Sequence, residues 1–154
     1  SEHQGAIPGS AMRSPGQFEH PLVTRAKCEV SAAALAHGII PTHNVTTVLD
    51  DPALAREDAR HARENFGYLR MWSIHPAQID PILEGMRPDA AAVEEATQII
   101  CAAQDANWGP IRAGARLHDR GSFRFFWTLL VRAHATGMNL PEDVARRFFD
   151  TPPN

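Results

Sequence analysis

The side chains here that could bind a metal or move a proton include 8 histidines, 2 cysteines and 18 acidic residues in a chain of 154. Their spacing excludes several chemistries. No histidine pair stands as HExxH, and no Cys/His spacing gathers zinc ligands. There is no GxSxG nucleophile elbow and no Walker loop, and neither Cys28 nor Cys101 lies in an electropositive motif that would activate a thiol. The spacing that remains is MWSIHPAQI at 71–79, where an apolar run stops at His75-Pro76 and a helix-compatible segment follows at once. Pro76 suits the first position of that helix, because its fixed φ fits the turn and its missing N–H would have no intrahelical partner there. This is the pattern of a strand-to-helix corner, the kind of place where α/β folds put binding and catalytic loops. By its residue type alone His75 is at least as readily a turn-stabilising histidine, and Asp119, just ahead of a helix beginning at Arg120, reads more readily as a helix cap than as a catalytic acid.

The elements that would position these residues follow from periodicity. Residues 1–20 are rich in Gly, Pro and Ser, lack periodicity and begin without methionine, which reads as a loop cut from a longer chain. From Pro21, apolar residues at Leu22, Ala26, Val30 and Ala33 predict a helix of about four turns buried on that face and stopped at Gly38. Ile39-Ile40-Pro41 and the β-branched run 45–48 predict one short strand with a loop or two strand pieces, and Pro41 argues against a long central one. Asp50-Asp51-Pro52 opens a second helix with its stripe at Leu54, Ala59, Ala62 and Phe66, and with Arg56, Glu57, Asp58, Arg60, Arg63 and Glu64 on a solvated face. Gly67 ends it, and 69–74 is the strand leading into the corner, so strand, helix and strand form a βαβ unit of parallel sheet.

Beyond the corner, Arg87-Pro88-Asp89 breaks the pattern, and Val93, Ala96, Ile99, Ile100 and Ala103 mark a further helix ending at Trp108-Gly109-Pro110. Residues 111–119 are too glycine-punctuated for a strand. A helix over 120–136 carries Phe123, Phe126, Trp127, Leu130 and Ala133 on one face, a stripe that suits a core or a subunit interface better than a ligand box, and Pro141 opens a last short helix.

Composition sets the outer bounds. At 44% hydrophobic content the chain can build a sizeable core, and a net charge of −3 with interspersed signs gives no footprint for nucleic acid or an anionic membrane. No signal peptide or membrane-length apolar run is present, and two cysteines inside apolar helical patterns read as reduced thiols of a cytoplasmic protein.

GAIPGSAMRSPGQFEHPLVTRAK at 5–27, FGYLRMWSIHPAQIDPIL at 66–83 and LHDRGSFRFFW at 117–127 together resemble malyl-CoA/β-methylmalyl-CoA lyase, of the HpcH/HpaI aldolase and citrate lyase β-subunit superfamily. The resemblance runs from about Gly5 to Phe149 and covers only the C-terminal half of such an enzyme. It implies an α/β fold, the last βα units of a TIM (β/α)8 barrel over 1–86, followed over 87–154 by a helical extension carrying a lid segment. The implied activity is Mg²⁺-dependent cleavage of malyl-CoA or β-methylmalyl-CoA into acetyl-CoA or propionyl-CoA and glyoxylate. Its metal ligands and an oxygen-holding Arg belong to the absent half, and no organic prosthetic group is implied. By the same resemblance Ile74, His75 and Pro76 line the acyl-CoA groove, and Asp119 serves, from a neighbouring subunit of a trimer or hexamer, as acid/base for the carbon beside the thioester. Pro41-Thr42-His43, at the mouth of the preceding strand, departs from the citrate lyase β-subunit pattern, which carries an acid there. A (3S)-malyl-CoA thioesterase and a non-catalytic oligomerisation or regulatory remnant stand as alternatives.

Overall fold

Helices begin where the sequence supplies a cap or a first-turn proline. The computed structural model describes residues 7–150, and the chain divides into two compact units, Ser1–Met86 and Arg87–Asn154. In the first, a 3-10 turn over Gly9–Met12 and the short helix α1 (Gly16–Glu19) precede α2 (Pro21–Ala36), which starts on its proline. Strand β1 (Thr42–His43) leads to α3 (Pro52–Phe66), capped by Asp51 accepting from Leu54 N at 3.0 Å and closed by Gly67 in the left-handed conformation, φ 71°. Strand β2 (Arg70–Met71) pairs parallel to β1, with Thr42 opposite Arg70 and His43 opposite Met71. A 3-10 turn at Pro76–Gln78 then runs into α4 (Ile79–Met86), and Pro76 holds the first position.

The βαβ unit thus exists, but its strands are shorter and differently placed than the β-branched run suggests. β1 lies between Pro41 and the run 45–48, not in it, and of 69–74 only Arg70–Met71 is strand, extended by single bonds from Leu69 N to Pro41 O (3.3 Å) and Trp72 N to His43 O (3.1 Å). Two further expectations fail. The buried positions of α2 are Val23, Lys27 and Ser31, while Leu22 and Val30 are 57% and 56% exposed. Asp58 is not solvated: it is buried on α3 beside Ala55, Ala59 and Ala62. Both departures have one cause, because Lys27 and Asp58 belong to a polar cluster that holds the interior. The apolar remainder of that interior is Phe18, the α3 alanines, Tyr68, Ile82 and Met86. At Gly85 a Cβ would come 2.3 Å from Arg56 O, so α4 rests on the backbone of α3 where only glycine fits.

In the second unit Asp89 caps α5 (Ala90–Asp105) through Ala91 N and Ala92 N, and the expected stripe from Val93 to Ala103 is buried. Residues 111–119 do form strands, contrary to expectation. β3 (Ile111–Ala113) and β4 (Arg116–His118) make an antiparallel hairpin, because Gly114 supplies the turn at φ 60° instead of breaking the ladder. Helix α6 (Arg120–Ala135) buries Phe123, Phe126, Leu130 and Ala133 against α5, and α7 (Glu142–Phe148) completes the unit. No helix among the described residues is long and apolar enough to cross a membrane.

Candidate functional site

The corner after β2 is a built structure. Ser73 Oγ donates to His75 O at 2.7 Å, and His75 Nδ1 accepts from Ala77 N at 3.2 Å, capping the turn that Pro76 opens. With Nδ1 an acceptor, the neutral ring carries its proton on Nε2, which is left as an outward donor. Ile74, 53% exposed, and Trp72, 68% exposed, flank it. The corner is fastened from beneath by Gln78, a buried side chain. Its Oε1 accepts from Ile74 N at 3.2 Å, and its Nε2 donates to Thr46 O at 2.8 Å and Val48 O at 3.2 Å. The βα loops that follow β1 and β2 are therefore tied together by one amide.

Thr46 connects this tie to the polar cluster, because its hydroxyl donates to Asp58 Oδ2 at 2.6 Å. Asp58 also accepts from Ser14 Oγ and from Gln17 Nε2. Gln17 Oε1 in turn accepts from Lys27 Nζ at 3.3 Å and Asn44 Nδ2 at 3.0 Å. Lys27 spends its remaining protons on Asn44 Oδ1 at 2.7 Å and His43 Nε2 at 2.5 Å, so all three N–H bonds of the ammonium are used. His43 Nδ1 sits 3.0 Å from Asn44 O, which only accepts; His43 is thus neutral, protonated on Nδ1, and receives the lysine proton on Nε2.

Burial accounts for the electrostatics. It lowers Lys27 to about 8, with the negative charge of Asp58 pulling the other way. Burial, reinforced by the Lys27 charge and opposed by the Asn44 carbonyl bond, lowers His43 to about 3. The rings pack as a stack in which Phe18 lies between His43 (5.4 Å) and His61 (4.3 Å), with Lys27 Nζ 5.1 Å from the Phe18 centroid. One cation and one anion, joined through Gln17, are enclosed with their hydrogen bonds complete. The cluster shapes the loop from β1, and Asn44 stands at its exposed edge.

Asp119 stands in the second unit as the cap of α6. Its Oδ1 accepts from Gly121 N at 3.0 Å and Ser122 N at 3.3 Å, while Asp119 N donates to Ser122 Oγ at 3.0 Å, a complete capping box. Both bonds use the same oxygen, so Oδ2 of this exposed residue is left to other partners. Among the described residues no three His, Cys, Asp or Glu side chains gather as a metal site. Sequence reading located the corner and the cap. It missed Lys27, Asp58 and Gln78, and the available signals were a lone lysine at i, i+4 from Val23 and an aspartate at i+3 from Ala55 and i−4 from Ala62 on α3.

No family model and no curated protein matches the chain. Solved structures do. The chain is 54% identical to a citrate lyase from Burkholderia xenovorans LB400, with a TM-score of 0.72 over 95% of this chain and 46% of that one. A second match, at 22% identity and a TM-score of 0.64 over 85% of this chain and 47% of the other, is the protein CitE from Mycobacterium tuberculosis in complex with magnesium, acetoacetate and coenzyme A; at that identity it supports the fold alone. The chain spans about half the length of both structures.

Proposed function

We propose that residues 1–86 are the last βα units of a TIM (β/α)8 barrel and 87–154 a helical extension with a lid segment, within a complete protein that is a carbon–carbon lyase. Its reaction is the cleavage of malyl-CoA or β-methylmalyl-CoA into acetyl-CoA or propionyl-CoA and glyoxylate. The observation that carries this reading is the 54% identity to a citrate lyase across 95% of the chain. The IHPAQI corner and the LHD cap support it in detail.

Cleavage takes the proton from the malyl hydroxyl as its oxygen becomes the glyoxylate carbonyl and leaves the bonding pair on the carbon beside the thioester, which must be protonated before acetyl-CoA departs. In this reading Asp119, in its acid form, delivers that proton and is left as the carboxylate. Its Oδ1 is fixed by two backbone N–H groups, and these hold the carboxyl in one orientation with Oδ2 outward. Ile74 and Pro76 supply an apolar wall for the acyl-CoA, and His75 Nε2–H donates to it, the ring being held by its Nδ1 bond to Ala77 N. Mg²⁺, when bound, would polarise the carbonyl of the α-oxo acid, and in this reading its ligands come from the part of the protein that this chain does not include. The complete protein is a homo-oligomer in which Asp119 serves a neighbouring subunit.

The test is product analysis and proton exchange in the complete protein. Malyl-CoA yields glyoxylate and acetyl-CoA, and the 154-residue chain alone yields neither. Asp119→Asn lowers kcat by roughly 10²–10⁴-fold with a smaller change in KM, and slows exchange of the acetyl-CoA methyl protons with deuterated solvent in step. Malate and free CoA as sole products would replace the lyase by a thioesterase. Undiminished exchange in the Asn variant would remove Asp119 from the reaction.

A further inference from the structure

Asp119 does not stand alone at the end of its strand. Its backbone is still extended, φ −137° and ψ −171°, so the alternation of β4 carries through it: His118 points inward, and Leu117 and Asp119 share the outer face. The inward side is anchored. His118 is buried with its ring edge-on to Phe126 at 5.4 Å, and Ile111, its partner across the ladder, is buried as well. The hairpin is thereby held in one orientation against α5 and α6, and what its outer face presents is fixed by that choice.

Leu117 is 75% exposed, more than any other large apolar side chain among the described residues. A single exposed leucine is ordinary on a protein surface, and exposure alone assigns it nothing. Its place is what matters. It lies on the same strand face as the carboxylate, about 6.5–7 Å along the chain from it, a distance that a leucine and an aspartate side chain bridge with ease. Arg112, directly across the ladder from Leu117, leaves it uncovered, because its Nε is turned to Gly114 O at 3.0 Å. The capping box meanwhile fixes Asp119 by Oδ1, so Leu117 and Oδ2 are offered outward together.

If Asp119 protonates the carbon beside the thioester, Leu117 approaches that carbon with it. This is the atom at which the two substrates differ: it carries a methyl group in β-methylmalyl-CoA and hydrogen alone in malyl-CoA. We infer that Leu117 is a specificity-determining residue, its side chain packing on the substituent of the carbon that Asp119 protonates and so favouring the methyl-bearing substrate. The inference rests on the lyase reading and adds to it a choice between its two substrates. One methyl group in an apolar contact discriminates by roughly 10–200-fold, and a leucine reaching it from one side takes the low end of that range.

The test uses the complete protein and both substrates, with acetyl-CoA and propionyl-CoA separated and measured. The unaltered protein forms both products. Leu117→Ala lowers kcat/KM for β-methylmalyl-CoA about tenfold relative to that for malyl-CoA. Leu117→Asn, which keeps a branched side chain without its apolar surface, shifts the ratio the same way, and Leu117→Met retains most of the preference. Thermal unfolding of the three variants matches that of the unaltered protein, as expected where the replaced side chain is exposed. Asp119→Asn lowers turnover of both substrates without moving their ratio, which separates the proton from the choice of substrate. The two ideas fail differently. If the unaltered protein forms neither acyl-CoA product, the lyase reading falls and this inference falls with it. Cleavage whose substrate ratio is unchanged in Leu117→Ala, or cleavage of malyl-CoA alone, leaves the lyase standing and overturns the assignment of Leu117.

Discussion

Where the second unit buries Ile99, Ile100 and Leu130, the first buries Gln17, His43 and Gln78 among its most enclosed side chains, with Lys27 and Asp58 close behind. The second unit follows the usual division, apolar stripes from α5 and α6 meeting in one cluster. The first turns the rule around: α2 directs Lys27 and Ser31 inward and leaves Leu22 and Val30 outside. What decides is hydrogen-bond completeness. A buried lysine and aspartate are costly when alone and tolerable when every donor and acceptor is matched, as they are through Gln17, Asn44 and Thr46. A core of that kind fixes loop positions closely, because each bond has a direction, whereas dispersion contacts do not. The unit carrying the βα corner is the unit with the directional core.

The contrast is broken most forcefully by removing the anion. Asp58→Ala strips partners from Ser14, Gln17 and Thr46 and leaves the buried Lys27 charge uncompensated, which costs the first unit about 3–5 kcal/mol. Leu130→Ala costs the second about 2–5 kcal/mol by leaving a cavity. Peptide-resolved hydrogen exchange reads each loss separately. Protection should fall within 7–86 for Asp58→Ala and within 87–150 for Leu130→Ala; equal loss in both units from either change would show that the two cores do not act independently.

Acid should separate the units next. His43 is held at about 3 in the folded state against an ordinary 6.5, so between those values the unfolded chain binds a proton that the native one does not. Native stability is then fully present above about pH 6.5 and is lost as pH falls toward 3, by about 5 kcal/mol at most. Lys27, lowered to about 8 from 10.5, gives a smaller contribution with the same sign: stability rises as pH climbs between those two values. Urea unfolding followed by exchange from pH 7 to pH 4 should show the first unit weakening faster. A first unit no more acid-sensitive than the second would mean that the Lys27–His43 bond does not hold in solution.

These two cores also explain what was legible in the sequence. In the second unit a 3.6-residue period reports burial directly, so the stripe Val93–Ala103 is read correctly, as are Phe123, Phe126, Leu130 and Ala133 of the α6 face, while Trp127 of the same face is exposed. Caps and first-turn prolines at Asp51, Pro52, Pro76, Asp89 and Asp119 are equally local, and they locate helix starts in both units. Periodicity misleads where burial is polar. On α2 it selects the apolar face and not the face of Lys27; on α3 it sends Asp58 to solvent with Arg56 and Arg60. The strands fail for another reason: β1 and β2 are only two residues each, and their placement is set by the loop bonds of Gln78 and Asn44, which no period encodes. At the candidate site, the positions of His75, Pro76 and Asp119 are legible, while the side chains that fasten the corner are not.

The corner itself gives a sharper, smaller test. Gln78→Leu keeps the volume and removes three bonds, leaving Thr46 O, Val48 O and Ile74 N without their side-chain partner. The expected loss is about 1–3 kcal/mol, concentrated in faster exchange at 44–48 and 73–78, with the second unit unchanged. If exchange rises evenly across the first unit instead, the amide contributes to general stability and not to holding the two βα loops.

The smallest effect is expected at Asp119. The cap bonds to Gly121 N and Ser122 N need an oxygen acceptor and not a charge, and Asn ranks with Asp at this position. Asp119→Asn should therefore change the stability of the second unit by only a few tenths of a kcal/mol. Asp119→Ala, which removes the acceptor, should cost about 1 kcal/mol, a fall in Tm of about 4–8 °C for a unit of this size. Thermal unfolding of both variants establishes the scale. The pair matters because the carboxylate is assigned two tasks, one on each oxygen: Oδ1 caps the helix and Oδ2 moves a proton. The Asn variant keeps the first and abolishes the second. A near-native Tm in that variant makes any fall in turnover of the complete protein a statement about proton transfer, whereas a loss of stability matching the Ala variant would place the charge itself in the cap and remove that separation.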